Sequence, residues 1–69
     1  MSTIDAQVNG EPWQLPAGAT VADVVARLSA EPRGIAVALD GAVVPRATWG
    51  ATPVPAGAQI EVLTAVQGG

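Results

Sequence analysis

Asn9-Gly10 follows directly after a segment in which apolar and polar residues alternate. Asn-Gly is a preferred dipeptide of the two-residue hairpin turn, because both positions adopt positive φ angles. The alternation over Thr3–Val8 predicts a strand with one buried face, and a second strand with Trp13 and Leu15 on one face follows the turn. Pro12 has no amide hydrogen to donate, so it is expected either in an edge strand or as the first residue of this second strand. The sequence therefore predicts a hairpin with one face that must be covered.

One amphipathic helix is predicted to provide this cover. Thr20 and Asp23 have the spacing of a capping box, in which each side chain accepts a hydrogen bond from the other residue's amide. The apolar residues that follow recur at helical spacing and form one stripe: Val21, Val24, Val25 and Leu28. The segment Glu31–Gly34 is expected to end the helix, because it contains a proline, which cannot continue a helix.

The rest of the sequence predicts three further strands. Ile35–Leu39 alternates and leads into Asp40-Gly41, a second hairpin signal, after which Ala42–Val44 forms a short strand. Residues Arg46–Ala58 are rich in proline and glycine, so an irregular segment is expected there. Alternation resumes over Gln59–Ala65 and predicts the last strand.

These elements predict an α+β fold in which a mixed sheet of four to five strands is covered on one face by a single helix. The helix is a crossover connection, so the strand after it, Ile35–Leu39, is expected to lie parallel to the first strand. A chain of 69 residues is expected to form one domain. We assign residues 1–65 to this domain and residues 66–69 to a flexible tail.

The composition excludes several classes of function. The sequence has no cysteine and no histidine, which removes disulfides, thiolate metal sites and the usual residues of nucleophilic and acid–base catalysis. We therefore predict no catalytic residue and no metal site. A net charge of -3 argues against binding to nucleic acid or to an anionic membrane. The sequence has no apolar run near the roughly 20 residues that span a bilayer and no secretory signal, so a cytoplasmic protein is expected.

The sequence ends in Gly68-Gly69. Glycine has no side chain, so a diglycine end can enter a slot that excludes other residues, and its carboxyl carbon is open to attack. An α-carboxyl group is ionised at neutral pH, so it becomes an acyl donor only after activation, for example as a mixed anhydride with AMP. The ending therefore predicts a carrier that another protein charges at its last residue. The alternative is an ordinary loose terminus.

Taken in order, these features resemble the sulfur carrier proteins of thiamine biosynthesis, which have the ubiquitin-like β-grasp fold. The resemblance covers essentially the whole sequence. It is carried by Val8-Asn9-Gly10, Thr20-Val21, Ala36–Asp40, Val43–Arg46 with Trp49, Gly57 with Gln59–Val62, and the terminal Gly68-Gly69. Two positions depart from the family's pattern: Ala58 stands where an acidic residue is usual, and Asp40 stands where asparagine is common.

The resemblance implies a cycle in which this chain is a substrate rather than an enzyme. A ubiquitin-activating-like adenylyltransferase would use ATP and Mg²⁺ to convert the Gly69 carboxylate to an acyl-adenylate. Sulfur from the persulfide of a cysteine desulfurase system would displace AMP and leave a thiocarboxylate, from which thiazole synthase would take the sulfur. No cofactor is expected on the chain itself, and a monomer suits such a shuttle.

The tail and one sheet face are the predicted contacts with these partners. Gly69 is predicted to be the modified residue, with Gly68, Gln67 and Val66 threading the partner's active site. Fully extended, these four residues span about 13 Å. Alternation places a second set opposite the helix, where small and apolar residues predict a docking face: Ala36, Ala38, Glu61, Leu63 and Ala65. The alternatives are that the tail residues act only as a spacer and that small residues merely tolerate exposure.

Two other functions stay open on the sequence. Carriers of sulfur for molybdopterin or cysteine synthesis use the same chemistry at a diglycine end, although they tend to be longer. A non-catalytic β-grasp interaction module would have the same fold without any modification of its terminus.

Overall fold

The computed structural model describes residues 2–28 and 33–64. Within them the chain forms five strands, one α-helix and one 3₁₀ helix. The strands are β1 (Thr3–Val8), β2 (Glu11–Pro16), β3 (Ile35–Leu39), β4 (Ala42–Val44) and β5 (Gln59–Thr64). The α-helix α1 is Val21–Leu28, and the 3₁₀ helix is Arg46–Ala51. The predicted strands are confirmed over these residues, whereas Ala65 lies outside them.

The strands form one mixed sheet in the order β2-β1-β5-β3-β4. β1 pairs antiparallel with β2 and parallel with β5, and β3 pairs antiparallel with both β4 and β5. With one helix packed on the sheet, this is the predicted α+β, β-grasp arrangement. The expectation that β3 lies parallel to β1 is wrong, because β3 runs opposite to it. A helical crossover makes the strand after it parallel to the strand directly before it, and here that strand is β2.

Both predicted hairpin turns are present. Asn9 and Gly10 have φ angles of 52° and 82°, and Asp40 and Gly41 have φ angles of 49° and 86°. Positive φ at both central positions is the signature of the turn that matches the twist of the flanking strands. The first turn joins β1 to β2 and the second joins β3 to β4. These two turns fix the registers of their hairpins, because a two-residue loop leaves no slack between paired strands.

One face of the sheet packs against α1 to form the core. The buried sheet residues are Ala6, Val8, Leu15, Val37, Val44, Ile60 and Val62. The helix adds Val21, Val24 and Val25. Leu28, the fourth member of the predicted apolar stripe, is instead 43% exposed. It is the last residue of α1, so the stripe is buried only along the part of the helix that precedes it.

The start of α1 is the predicted capping box. The Thr20 amide donates to the Asp23 carboxylate over 2.9 Å, and the Asp23 amide donates to the Thr20 hydroxyl over 3.3 Å. Farther along the helix, the Arg27 guanidinium lies 4.8 Å from the centre of the Trp13 ring on β2. This contact joins the helix to an edge strand, as a cation stacked on an aromatic face does. The segment predicted to end the helix is Glu31–Gly34, and its first two residues lie outside the described part of the chain.

The segment predicted to be irregular contains a 3₁₀ helix, so that prediction is wrong for Arg46–Ala51. Trp49 gives a physical reason for the 3₁₀ helix in this segment. Its side chain is buried, and its indole nitrogen Nε1 donates to the Val44 carbonyl over 2.9 Å. Pro45 precedes the helix with φ at -60°, a value that its ring imposes. Short i to i+3 turns of this kind need few residues, so a proline- and glycine-rich segment can still form one.

Candidate docking surface and chain terminus

Strand β5 contributes to both faces of the sheet. Its inward residues Ile60 and Val62 are buried, whereas Glu61 and Leu63 are exposed on the other face. Leu63 is 68% exposed. A large aliphatic side chain at a solvent-facing strand position adds nothing to the core, because apolar side chains stabilise a fold through the area that they remove from water.

The neighbouring strand β3 places two small residues beside the exposed residues of β5 on the same face of the sheet. Ala36 lies directly opposite Leu63, and Ala38 lies directly opposite Glu61. Ala36 is exposed and Ala38 is half-buried. Directly opposed residues on antiparallel strands are near enough for their side chains to touch. The structure therefore brings together four of the five residues that the sequence assigned to a docking face, and the fifth, Ala65, lies outside the described residues.

Val43 extends the same face, although it is not among the residues that alternation predicted there. It lies opposite Ala38 on β4 and is 78% exposed. Ala42–Val44 has valine at two successive positions, so alternation alone does not identify the outward one. The Asp40-Gly41 turn does: a two-residue loop pairs Leu39 with Ala42 and therefore Ala38 with Val43. We call the set Ala36, Ala38, Val43, Glu61 and Leu63 the outer patch.

The outer patch is small, mostly apolar and carries one carboxylate. Val43 and Leu63 supply most of its aliphatic area. Ala36 and Ala38 lie on the strand between them and have short side chains. Glu61 is its charged member and is exposed. A surface of this composition suits a partner with apolar side chains and a cation opposite Glu61, since charge complementarity sets the orientation of two docking proteins.

Two side chains from the hairpin turns bond to the backbone of β5. The Asp40 carboxylate accepts a hydrogen bond from the Gln59 amide over 2.8 Å. The Asn9 side-chain oxygen accepts from the Val62 amide over 2.8 Å, and its side-chain nitrogen donates to the Val62 carbonyl over 3.3 Å. The strand that carries Leu63 is thus tied to both turns.

The outer patch lies close to the chain terminus along the sequence. Thr64, which follows Leu63, is the last described residue and is exposed. The predicted tail contacts Val66, Gln67, Gly68 and Gly69 lie outside the described residues, so their roles stay predictions. Five residues after Thr64, extended at roughly 3.3 Å each, reach at most about 17 Å. A partner seated on the outer patch is therefore within reach of the terminal carboxylate.

Two kinds of feature, a cluster of metal ligands and a membrane-spanning helix, are absent from the described residues. Within residues 2–28 and 33–64, no group of three or more histidine, cysteine, aspartate or glutamate residues is placed to hold a metal ion. Neither helix in this part has the length or the apolar run that a bilayer crossing requires.

Comparison with known proteins found similarity to one protein family and to solved structures. The model of the ThiS family matches residues 6–69. A crystal structure of the thiamine biosynthesis protein ThiS from Geobacter metallireducens has the same fold, with a TM-score of 0.78. That protein is 29% identical in sequence, and the similarity covers 96% of this chain and 100% of that one. A search among curated proteins gave no significant match.

Proposed function

The chain belongs to the ThiS family, and from this we propose that it is a sulfur carrier of thiamine biosynthesis. The observation that carries the proposal is the extent of the family match, which runs through residue 69 and so includes the terminal Gly68-Gly69. A match confined to the sheet and helix would support the fold alone. The similarity to the Geobacter metallireducens thiamine biosynthesis protein over nearly the whole chain supports the same function.

The proposed chemistry takes place at the Gly69 carboxylate. An adenylyltransferase with ATP and Mg²⁺ joins this carboxylate to AMP and releases pyrophosphate, which makes the acyl carbon electrophilic. The terminal sulfur of a cysteine persulfide then displaces AMP and forms an acyl disulfide with Gly69. A second thiol attacks the donor's sulfur in this S–S bond, which forms a disulfide on the donor and releases the chain with a terminal thiocarboxylate. Thiazole synthase removes that sulfur and regenerates the carboxylate. The chain has no cysteine, so the sulfur must be supplied by another protein, and in this cycle the chain acts as a substrate.

The outer patch is proposed as the surface that the adenylyltransferase recognises. Two large aliphatic side chains, Val43 and Leu63, are exposed on it, and their burial by a partner would supply the apolar contact that docking requires. Glu61 lies on β5, opposite the small residue Ala38 of β3, and it would pair with a cation of the partner. The short stretch of chain from Leu63 to Gly69 would then carry the carboxylate into the active site.

Conversion of the purified chain tests the proposal directly. The full-length protein is incubated with a ThiS-family adenylyltransferase, ATP and a persulfide donor, and its intact mass is measured. We expect one oxygen to be replaced by sulfur, and the replacement to map to the last residue after proteolysis. The matched control is the same chain without Gly69, which should stay unmodified. An unmodified full-length chain, in a reaction that converts another ThiS-family carrier, would contradict the proposal.

The pathway is tested separately from the chemistry. If the carrier serves thiamine synthesis, a strain that lacks it should require thiamine or its thiazole precursor. Molybdenum-dependent enzymes and cysteine synthesis should be unaffected in that strain. A molybdenum-enzyme or cysteine defect without a thiamine requirement would instead assign the carrier to one of those other pathways.

A further inference from the structure

The Asn9 side chain bonds to β5 in the way that a neighbouring strand would. Its oxygen accepts from the Val62 amide and its nitrogen donates to the Val62 carbonyl, over 2.8 and 3.3 Å. A carboxamide is a side chain that presents one acceptor and two donors side by side, so it can satisfy both backbone groups of one residue. We call this pair of hydrogen bonds the Asn9 amide bridge.

The Asn9 amide bridge continues a pairing that the backbone does not complete. β1 pairs with β5 in parallel through Gln59 and Ile60, and the Asn9 amide donates to the Ile60 carbonyl over 2.9 Å. At that point β1 turns away into the hairpin, because Asn9 has a φ angle of 52°. The side chain of the same residue then reaches Val62, two residues farther toward the terminus. On its other side β5 stays paired with β3 as far as Thr64.

We propose that Asn9, as a positioning residue for the proposed carrier function, holds β5 at Val62 and so fixes the strand from which the chain continues to its carboxylate. The proposal rests on the proposed carrier function. A terminus that leaves a fixed strand end is partly oriented before docking, so less order must be imposed when a partner binds. Loss of the bridge should therefore weaken productive docking more than it slows the chemical step.

The Asp40 turn provides a contrast within the same strand. Asp40 has nearly the same backbone conformation as Asn9, with φ at 49°. Its side chain accepts one hydrogen bond, from the Gln59 amide at the start of β5, while its own amide donates to the Gln59 carbonyl over 2.8 Å. At Gln59 the side chain only has to accept a hydrogen bond, so the Asp40 carboxylate is sufficient. At Val62 both a donor and an acceptor are used, so a carboxylate at position 9 would face the Val62 carbonyl without a hydrogen to offer it.

The test removes one side chain at a time and keeps both turns. Asn9→Gly and Asp40→Gly are matched variants, because glycine adopts positive φ without strain and Gly-Gly is accepted in this turn type. For Asn9→Gly we expect exchange of the Val62 amide hydrogen to become about three- to tenfold faster, as loss of a modest stabilising interaction predicts. Asp40→Gly should accelerate exchange at Gln59 instead.

Steady-state kinetics of conversion by the adenylyltransferase then distinguish a specific effect of Asn9 on docking from the general effect of losing a hydrogen bond to β5. Asn9→Gly should raise KM about three- to tenfold with kcat within about twofold of the original protein, which is the pattern of a lost binding contribution. Asp40→Gly should leave both constants unchanged. Asn9→Asp, which keeps the acceptor and the turn preference but removes the donor, should resemble Asn9→Gly.

Each result decides the proposal. Equal KM values for Asn9→Gly and Asp40→Gly would overturn it, and so would an unchanged Val62 exchange rate in Asn9→Gly. A fall in kcat at unchanged KM would also overturn it, because the residue would then affect the chemical step. If the original protein is converted normally while these tests fail, the positioning role alone is wrong. If the original protein is not converted at all, the carrier function itself is wrong.

Discussion

Ile60 and Leu63 are aliphatic residues of the same strand, and they lie on opposite faces of the sheet. Ile60 is 1% exposed and packs in the core, whereas Leu63 is 68% exposed. The same contrast recurs on β4, where Val44 is 9% exposed and Val43 is 78% exposed. Burial of the inner residues accounts for folding. The outer residues contribute little buried area, so their apolar character adds little to stability and is the basis of the proposed docking role.

The largest expected effect is a loss of stability when a buried residue on the inner face of the sheet is truncated. Ile60→Ala should lower the free energy of unfolding by about 2–5 kcal/mol, because it removes buried methyl and methylene groups and leaves a cavity. Leu63→Ala on the same strand is the matched control and should change stability by no more than about 0.5 kcal/mol, as is usual for exposed positions. Urea denaturation followed by tryptophan fluorescence measures both, since Trp49 is buried. Comparable losses in the two variants would show that the faces do not differ in this way.

The second prediction concerns binding by the outer patch. Leu63→Arg should weaken affinity for the adenylyltransferase at least about tenfold, because a central apolar contact in an interface commonly contributes more than 1 kcal/mol. Gln14→Arg is the matched control: it adds the same side chain to an exposed position of β2, away from the patch. Calorimetric titration of both folded variants measures the difference. Equal affinities for Leu63→Arg and the original protein would remove the outer patch from the docking account.

The smallest expected effect tests how far the outer patch extends. Val43→Thr keeps the shape of the side chain and removes one methyl group's apolar contact, so affinity should fall only about two- to fivefold, as at the edge of an interface. Stability should be unchanged. Val44→Thr, one residue along, should lower stability because its hydroxyl would be buried, while the folded fraction should bind as before. An affinity loss in Val44→Thr with none in Val43→Thr would reverse the assignment of faces.

Short sequence patterns predicted most of the helices and strands, because each pattern depends on residues that are close together in the chain. Asn9-Gly10 and Asp40-Gly41 each require two positive φ angles, which few other dipeptides tolerate. Thr20 and Asp23 form the capping box that their spacing predicted. Alternation placed Ala36, Ala38, Glu61 and Leu63 together on the outer face, because side chains of a strand point to opposite faces in turn.

The features that were missed depend on contacts between distant residues. The pairing of β5 with β1 and β3 decides the direction of β3, and nothing within β3 records it. The Asn9 amide bridge joins residues that are 53 positions apart. The 3₁₀ helix places Trp49 in the hydrophobic core, which residues from the sheet and from α1 complete. Val43 could have been found from the hairpin register, whereas these others need the assembled sheet.

The most direct test of the carrier account is the mass of the protein taken from cells that must make their own thiamine. After rapid purification, intact-mass spectrometry and sequencing of the C-terminal peptide should show a fraction of molecules with sulfur in place of one Gly69 carboxylate oxygen. That fraction should disappear in cells without the adenylyltransferase. A terminus that is always an unmodified carboxylate, while thiamine synthesis is active and depends on this chain, would contradict the account.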